Sequence, residues 1–510
     1  MIENRIWRRL AFLLLVMILT ATVFICRQDE RQRCMGVKIL SEQDMENLHA
    51  YVYRDYSSGL FYNGQKAAID VVSSTIYIAQ DIQPESTAEN LPGTLTFGGS
   101  THWIGFAPDE MFSDLAAAVA DSHAFQLYIA NNAGEYMRYQ VVFTTLPVLQ
   151  MDGEIALQEE GGKDVYQGTV CLWTPYDKNA ARYTVKSGNA QWHIRGKSSA
   201  TQSKPPWKIS LKDKSGSNRD ENFLNLGSDD DWILNSLVMD DTKMREQLFM
   251  QLWNTLAETE GGNPRMSAGE YVEVVQNQTY MGVYLLQRRV DGKYLQLGTE
   301  DVLLKGNSTW VPETIQDGYE IVSSSLEAEQ TYALMEKIWN GEDFSAINRS
   351  NFIDTGLFLQ YASAIDNRGY KNMFYLLEKE GDSYHLSFIP WDVDMSWGVY
   401  YVDGFIYAYE KSMRVQLERM EYEGVLTQYP EVQEQQALRW FSLRESILST
   451  ENVLRTFETV NQNLNGSGAR QRDWERWGLR YKGEDSPEQL RRFLEERLIL
   501  LDNRYQMNLQ

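Results

Sequence analysis

Two stretches of this chain carry side chains whose types and spacing suit chemistry. From Ala364 to Gly398 the sequence reads AIDNRGYKNMFYLLEKEGDSYHLSFIPWDVDMSWG. It sets Asp366 in a turn, Asn372 six residues on, then a hairpin, then the acidic pair Asp392 and Asp394 before Trp397-Gly398. Carboxylates at strand ends can converge on one oxygen-seeking cation, and an Asn adds a neutral carbonyl oxygen. Mg2+ held by one or two carboxylates and by substrate phosphates is how phosphoryl-transfer sites are built. The plainer reading is that Asp366 caps its turn and Asp392 is solvated beside a packed Trp. The second stretch, Trp192 to Lys212, reads WHIRGKSSATQSKPPWKISLK. Arg195, Lys197, Lys204, Lys208 and Lys212 put five cations into eighteen residues. Such a cluster suits a polyphosphate, because Arg can bind it with two parallel bonds and Lys is a compact, reachable charge. The plainer reading here is a solvated basic edge strand, whose alternation sets Lys208 and Lys212 on one face.

Regular elements must hold these groups in place. AINRSNFIDTGLFLQYASAI, residues 346–365, reads as an amphipathic helix that stops at the turn cluster Asp366-Asn367-Arg368-Gly369. MFYLLEKEG and SYHLSFIPWDVD read as a hairpin about Gly381-Asp382. Upstream, WKISLKD is a strand, and EYVEVVQNQTYMGVYLLQRRV is a hairpin over Gln276-Asn277-Gln278. DDTKMREQLFMQLWNTLAE opens on Asp240 and Asp241 and repeats Met244, Leu248, Leu252 and Leu256 at helical spacing. Beyond Gly404 the chain is mainly helical and closes on SPEQLRRFLEERLILLDNRYQ. Residues 36–145 are β-rich, with one helix-like interruption at EMFSDLAAAVADS, and predict a small β-sandwich accessory domain serving as spacer or adhesion module. Leu10 to Cys26 are seventeen uncharged, mostly apolar residues behind Arg5, Arg8 and Arg9. That length is at the short edge of a membrane span, and Thr20-Ala21-Thr22 is a poor cleavage site, so an uncleaved signal anchor is expected, with a cleaved signal peptide or a buried soluble helix as the alternatives. Arg27, Arg31, Arg33 and Lys38 beyond it leave the orientation open.

Composition limits the function classes. The chain has 510 residues, with 48 basic and 71 acidic side chains and a net charge of −23. That charge disfavours nucleic acid as a partner. Twelve per cent aromatic residues argue for packed cores rather than an acidic disordered chain. Three cysteines exclude a disulfide-rich scaffold and a Cys-based zinc module, although Cys34 and Cys171 could pair in an exported chain. Five scattered histidines leave no His-rich metal site.

Taken in order, the motifs resemble the spore coat protein H (CotH) kinase family, an atypical protein-kinase-like group. LPVLQMD at 146–152 is similar to the family's opening strand, and HIRGKSSATQSKPPWKISLKD to its RGxSS segment with trailing basic residues. DDDWILNSLVMDDTKMREQL resembles its acidic-Trp strand leading into an Asp…Arg helix, here Asp240 and Arg245. YMGVYLLQRRVD resembles its Gly-x-Tyr strand pair, NMFYLL…FIPWDVDMSWG its Asn-Phe-Tyr hairpin and Trp-Asp-x-Asp-x-x-Trp-Gly turn, and RFLEERLILLDNRY its closing helix. The likeness spans about residues 146–510.

The resemblance implies an α+β chain with a degenerate protein-kinase-like fold. Its parts are an N-terminal tail and membrane segment (1–35), the β-rich accessory domain (36–145) and a CotH-like kinase domain (146–510). It implies ATP-dependent phosphorylation of Ser or Thr on a protein substrate, with Mg2+ or Mn2+, at a cell envelope or spore surface. Residue by residue, Asp366 matches the catalytic-loop Asp that orients the acceptor hydroxyl. Asn372 and Asp392 match metal ligands, with Asp394 a second acidic ligand, and Arg195, Lys204 and Lys208 match the nucleotide-binding cations. Residues 10–26 themselves point to a single-pass membrane anchor with the main domain on the extracytoplasmic side, although the flanking charges leave the orientation open. Three departures stand out. Leu285-Leu286-Gln287-Arg288 replaces the family's Leu-Leu-Thr-Glu, Glu320 lies near but not at the usual acidic place, and Asn372 follows Asp366 by six residues rather than five. A non-catalytic surface scaffold or adhesin on the same fold is the alternative. A metal-dependent hydrolase or carbohydrate-active enzyme built on the acidic cluster is a third reading.

Overall fold

The computed structural model describes residues 33–34, 36–52, 59–82, 86, 91, 93–98, 102–110, 114–158, 164–175, 185–196, 199–307, 314–339, 344–364, 366–367, 371–399, 430–481, 485–507 and 509. Residues 10–26 and Lys197 lie outside them. No helix among the described residues is long and apolar enough to cross a membrane.

The centre of the molecule is a closed seven-stranded barrel: β1 (Val148–Gln158), β2 (Asp164–Trp173), β3 (Val185–Ile194), β4 (Trp207–Lys212), β5 (Asp231–Asn235), β6 (Gly269–Gln276) and β7 (Thr279–Arg288). The order is β1-β2-β3-β4-β5-β7-β6, and the single parallel pairing, β1 with β6, closes it. Closure removes the exposed edges that an open sheet would have to protect. Trp207, Ile209 and Leu211 face its core together with Trp192, Trp232 and Tyr284, while Lys208 and Lys212 share the other face of β4, as the alternation predicts. Asn277 and Gln278 join β6 to β7 with φ of 47° and 61°. Two central residues in the left-handed region suit a tight hairpin between twisted strands.

Between β5 and β6 runs α1 (Arg245–Glu260), whose Leu248, Leu252 and Leu256 are buried. The helix starts later than the periodicity suggests, because Asp240 folds back to accept the Arg245 backbone N–H at 2.8 Å. A second, fully antiparallel sheet has the order β9-β8-β10-β11 from β8 (Val302–Asn307), β9 (Tyr319–Ser323), β10 (Lys371–Glu380) and β11 (Ser383–Pro390). The helices α2 (Ala328–Trp339), α3 (Arg349–Ala362), α4 (Pro430–Arg444), α5 (Thr450–Gly466), α6 (Ala469–Trp477) and α7 (Pro487–Met507) complete this part. One core of buried side chains runs from α1 through the second sheet to α3, α4, α5 and α7.

The β-rich N-terminal region differs from a free-standing spacer. Its eight-stranded mixed sheet and its three-stranded sheet share a core that continues into Val148, Trp173, Val275 and Tyr280 of the barrel. Tyr77 stacks on Tyr280 at 4.3 Å, and Asp70 accepts the Tyr280 backbone N–H at 3.1 Å. The barrel's outer face is apolar there and needs a cover, so residues near 145 mark no gap in packing. Cys171, on β2, is a free thiol, and burial pushes it up to about 12.

Candidate active site

The acidic residues arrive on two strand ends that one side chain clamps together. The buried Asn367 amide donates to the Asn372 carbonyl (2.9 Å), where β10 begins, and to the Trp391 carbonyl (2.7 Å), just past the end of β11. The Trp391 N–H in turn donates to the Asn372 carbonyl at 3.0 Å. The Asn372 side chain donates to Asp366 at 3.1 Å, so Asp366 and Asn372 meet as the spacing implies. Lys371 was not expected here, yet its ammonium lies 2.7 and 2.6 Å from the two Asp366 oxygens. Asn367 and Lys371 flank named positions. Only their place in this turn, between the helix stop and the Asn, could have flagged them.

The turn carrying Asp392 and Asp394 is strained and held from behind. Asp392 and Trp397 have φ of 57° and 40°, a region that costs a non-glycine residue about 1–2 kcal/mol. Arg245 donates to the carbonyls of Ser396 (2.8 Å) and Trp397 (3.2 Å) while pairing with Asp240 and Asp485. Its partnership with Asp240 is therefore structural. Glu246, one residue along α1, accepts the Val393 N–H at 2.7 Å and the Gln287 amide at 3.2 Å. Glu246 is fully buried, and burial together with Asp392 pushes its carboxyl up to about 8. At the departure Gln287-Arg288, Arg288 pairs with Asp229 at 2.7 Å, and Gln287 contacts the buried Glu246 of α1. A Glu at the start of a helix reads as an ordinary first-turn acid, so nothing in the sequence singled it out.

The basic stretch divides. Lys204 is wholly buried, donates to the Val283 carbonyl at 2.5 Å and pairs with Asp473 of α6, which also binds Lys243 at 3.2 Å. Lys208 pairs with Asp231 at 2.8 Å, and Arg289 reaches the same carboxylate at 3.2 Å. These placements separate Lys204 and Lys208 from Arg195: Lys204 has no exposed surface, and Lys208 sits on the Asp231 carboxylate. Arg195 alone of the three turns toward the acidic turn, with its guanidinium 5.7 Å from the Trp391 ring centre.

Asp392, Asp394, Asp366 and Asn372 offer only oxygen donors, the chemistry that Mg2+ or Mn2+ prefers. Burial raises the Asp392 and Asp394 carboxyls; Arg195, Lys305 and Lys371 pull Asp392 back down while Asp366 pushes it up, and Asp392, Glu246 and Asp366 push Asp394 up further. A divalent cation would relieve that repulsion, so the residues fit the metal. Their oxygens are more widely spread than a closed coordination shell. Among the described residues, the acidic trio with oxygens within 4.8 Å of one another is Asp220, Asp229 and Asp230, where Lys293 already sits.

No curated protein matches the chain. A family model described as CotH kinase protein matches residues 192–501, more than half of the chain, and takes in the basic stretch, α1, both acidic segments and most of α7. Its range begins in β3, so β1 and β2, which close the barrel, lie before it. This chain belongs to the CotH kinase family.

Proposed function

We propose that the protein is an atypical kinase on a degenerate protein-kinase-like fold, transferring the γ-phosphoryl group of ATP to Ser or Thr of a protein substrate. The observation that carries this is the Asn367 clamp, which joins the strand ends bearing Asn372 and Asp392 beside Asp366. Asp366 orients the acceptor hydroxyl and accepts its proton as the hydroxyl oxygen bonds to phosphorus and the bond to the ADP oxygen breaks. Asn372, Asp392 and Asp394 would hold Mg2+ or Mn2+, whose charge, when bound, neutralises the phosphate oxygens. Arg195 contacts the phosphate chain, and Glu246 and Arg245 hold the acidic turn in place. Residues 10–26 anchor the chain in a membrane with the main domain on the extracytoplasmic side, at a cell envelope or spore surface.

The test is transfer of labelled phosphate by the full chain with Mg2+ or Mn2+. Label above that of Asp366→Ala and Asp392→Asn controls is expected, and equal label in all three sinks the proposal. One observation favours a non-catalytic surface scaffold instead: Lys371 occupies both oxygens of Asp366. ATP is also scarce outside the cytoplasm. A scaffold predicts no thermal stabilisation by Mg-ATP, whereas a kinase predicts a rise in melting temperature.

A further inference from the structure

We propose that Arg195 and Lys305, laid against the Trp391 ring, form a cradle for the phosphate chain of a nucleotide and bind it without help from a divalent metal. This rests on the kinase reading of the same site and adds to it a residue, Lys305, from outside the basic stretch. Arg195 follows the last residue of β3, and Lys305 lies in β8, so two different sheets supply the charges. The guanidinium carbon lies 5.7 Å and the ammonium 5.8 Å from the Trp391 ring centre, and the ammonium is also 5.8 Å from that of Phe374. Trp391 is buried and both cations are half-buried. A ring face attracts a cation and so fixes these side chains in direction, but it leaves their charge uncancelled.

That sets the pair apart from most cations of the two sheets, although Lys379 likewise lies over a ring, that of Tyr384. Lys186, Lys204, Lys208, Arg288, Arg289, Lys293 and Lys371 each have a carboxylate within 4 Å. Among the described residues, Arg195 and Lys305 have none. Charges partly withdrawn from water are costly unless paired, and the carboxylate these two share, Asp392, stays beyond ion-pair distance, so the pair favours an anion from outside. Burial lowers both groups from their ordinary values, and Arg195 lowers Lys305 further, while Asp392 opposes the shift in each. A lone carboxylate would satisfy one of them. A chain of phosphates can meet both, with the planar fork of Arg on one group and the compact ammonium on the next. Metal is not needed for this attraction, because the cations bring their own charge.

Titration calorimetry of the full chain with inorganic tripolyphosphate in excess EDTA tests the cradle. Saturable one-to-one binding is expected, weakened about tenfold or more in Arg195→Met and in Lys305→Met and largely kept in Lys305→Arg. Lys379→Met, on the neighbouring strand, controls for net charge and should bind as the parent does. Lys305→Gln repeats the test if Lys305→Met melts early. Parent-like affinity in folded Lys305→Met or Lys305→Gln, or no saturable binding without metal, overturns the proposal. Lys305-dependent binding without phosphate transfer from Mg-ATP supports the cradle and overturns only the kinase reading. Undiminished transfer by Lys305→Met overturns only the cradle.

Discussion

Replacing Lys204 with Met separates a ligand-binding role from a structural one. The Met side chain keeps apolar contact with the Tyr284 ring, whose centre lies 4.6 Å from the ammonium in the parent. It loses the bonds to the Val283 carbonyl and to Asp473. Asp473 retains Lys243 and the Val283 N–H at 3.0 Å, so its charge stays partnered. A lost charge-assisted bond is worth about 1.5–3 kcal/mol and an orphaned buried carbonyl about 1–3 kcal/mol, offset by an ammonium that no longer has to be dehydrated. The net expectation is a loss of about 2–4 kcal/mol. Asp473→Asn should cost more, about 3–5 kcal/mol, because it leaves two buried ammonium groups facing an amide. Burial outweighs the pull of Asp473 and lowers Lys204 to about 8, below its ordinary 10.5. Between those values the unfolded chain binds more protons than the folded one, so the Lys204 contribution becomes more favourable as pH rises through that window. Lys204→Met should lose that slope. Urea unfolding followed by Trp fluorescence reads the stability, and tripolyphosphate titration of the folded variant reads the site. Reduced stability with unchanged affinity is expected. Unchanged stability with lost affinity would refute the reasoning and return Lys204 to the nucleotide.

Two further substitutions probe the surrounding frame. Gly282 has φ of 88°, and a Cβ there would overlap the Asp473 carboxylate and touch the Trp477 indole nitrogen. Gly282→Ala should therefore cost about 3 kcal/mol or more, and parent-like unfolding would show that α6 does not dock on β7 in this way. Asn367→Ala removes the bonds to the Asn372 and Trp391 carbonyls, and should cost about 2–3 kcal/mol. Its phosphate transfer should fall in kcat more than in KM, and a parent-like kcat would remove the clamp from the account.

Much of the fold was legible because it is written in local periods. The alternation in Trp207–Lys212, the Asn277-Gln278 turn and the Gly381-Asp382 hairpin are all readable within ten residues. The meeting of Asp366 and Asn372 was legible for the same reason, since both punctuate regular elements. Barrel closure was not, because β1 meets β6 across more than a hundred residues and no local signal encodes a parallel pairing. Lys204 and Arg195 are nine residues apart and both cationic, yet one points into a buried junction and the other toward Trp391. Their fates are decided by Asp473 and Trp391, residues far along the chain. The continuity of the N-terminal region with the barrel escaped for a similar reason, since Tyr77 and Tyr280 look like ordinary core residues until they stack.

The same logic governs the acidic turn, whose geometry depends on α1 more than on the strand that precedes it. Arg245 and Glu246 are consecutive, so the helix projects them about 100° apart and they can grip the turn from two sides. Arg245 holds carbonyls at 396 and 397, and Glu246 holds the N–H at 393. Asp392 and Trp397, at the two ends of the gripped span, are both in the left-handed region, a conformation that relaxes once its restraints are removed. Asp485 in turn fixes Arg245, so the turn is tied to the segment just before α7 as well. Glu246→Ala should thus weaken Mn2+ binding by about tenfold although Glu246 is not among the ligands, and Glu246→Gln, which keeps an acceptor for the Val393 N–H, should lose less. Equal Mn2+ affinity in the parent and both variants would mean that the acidic turn holds its own shape, and that α1 merely covers it.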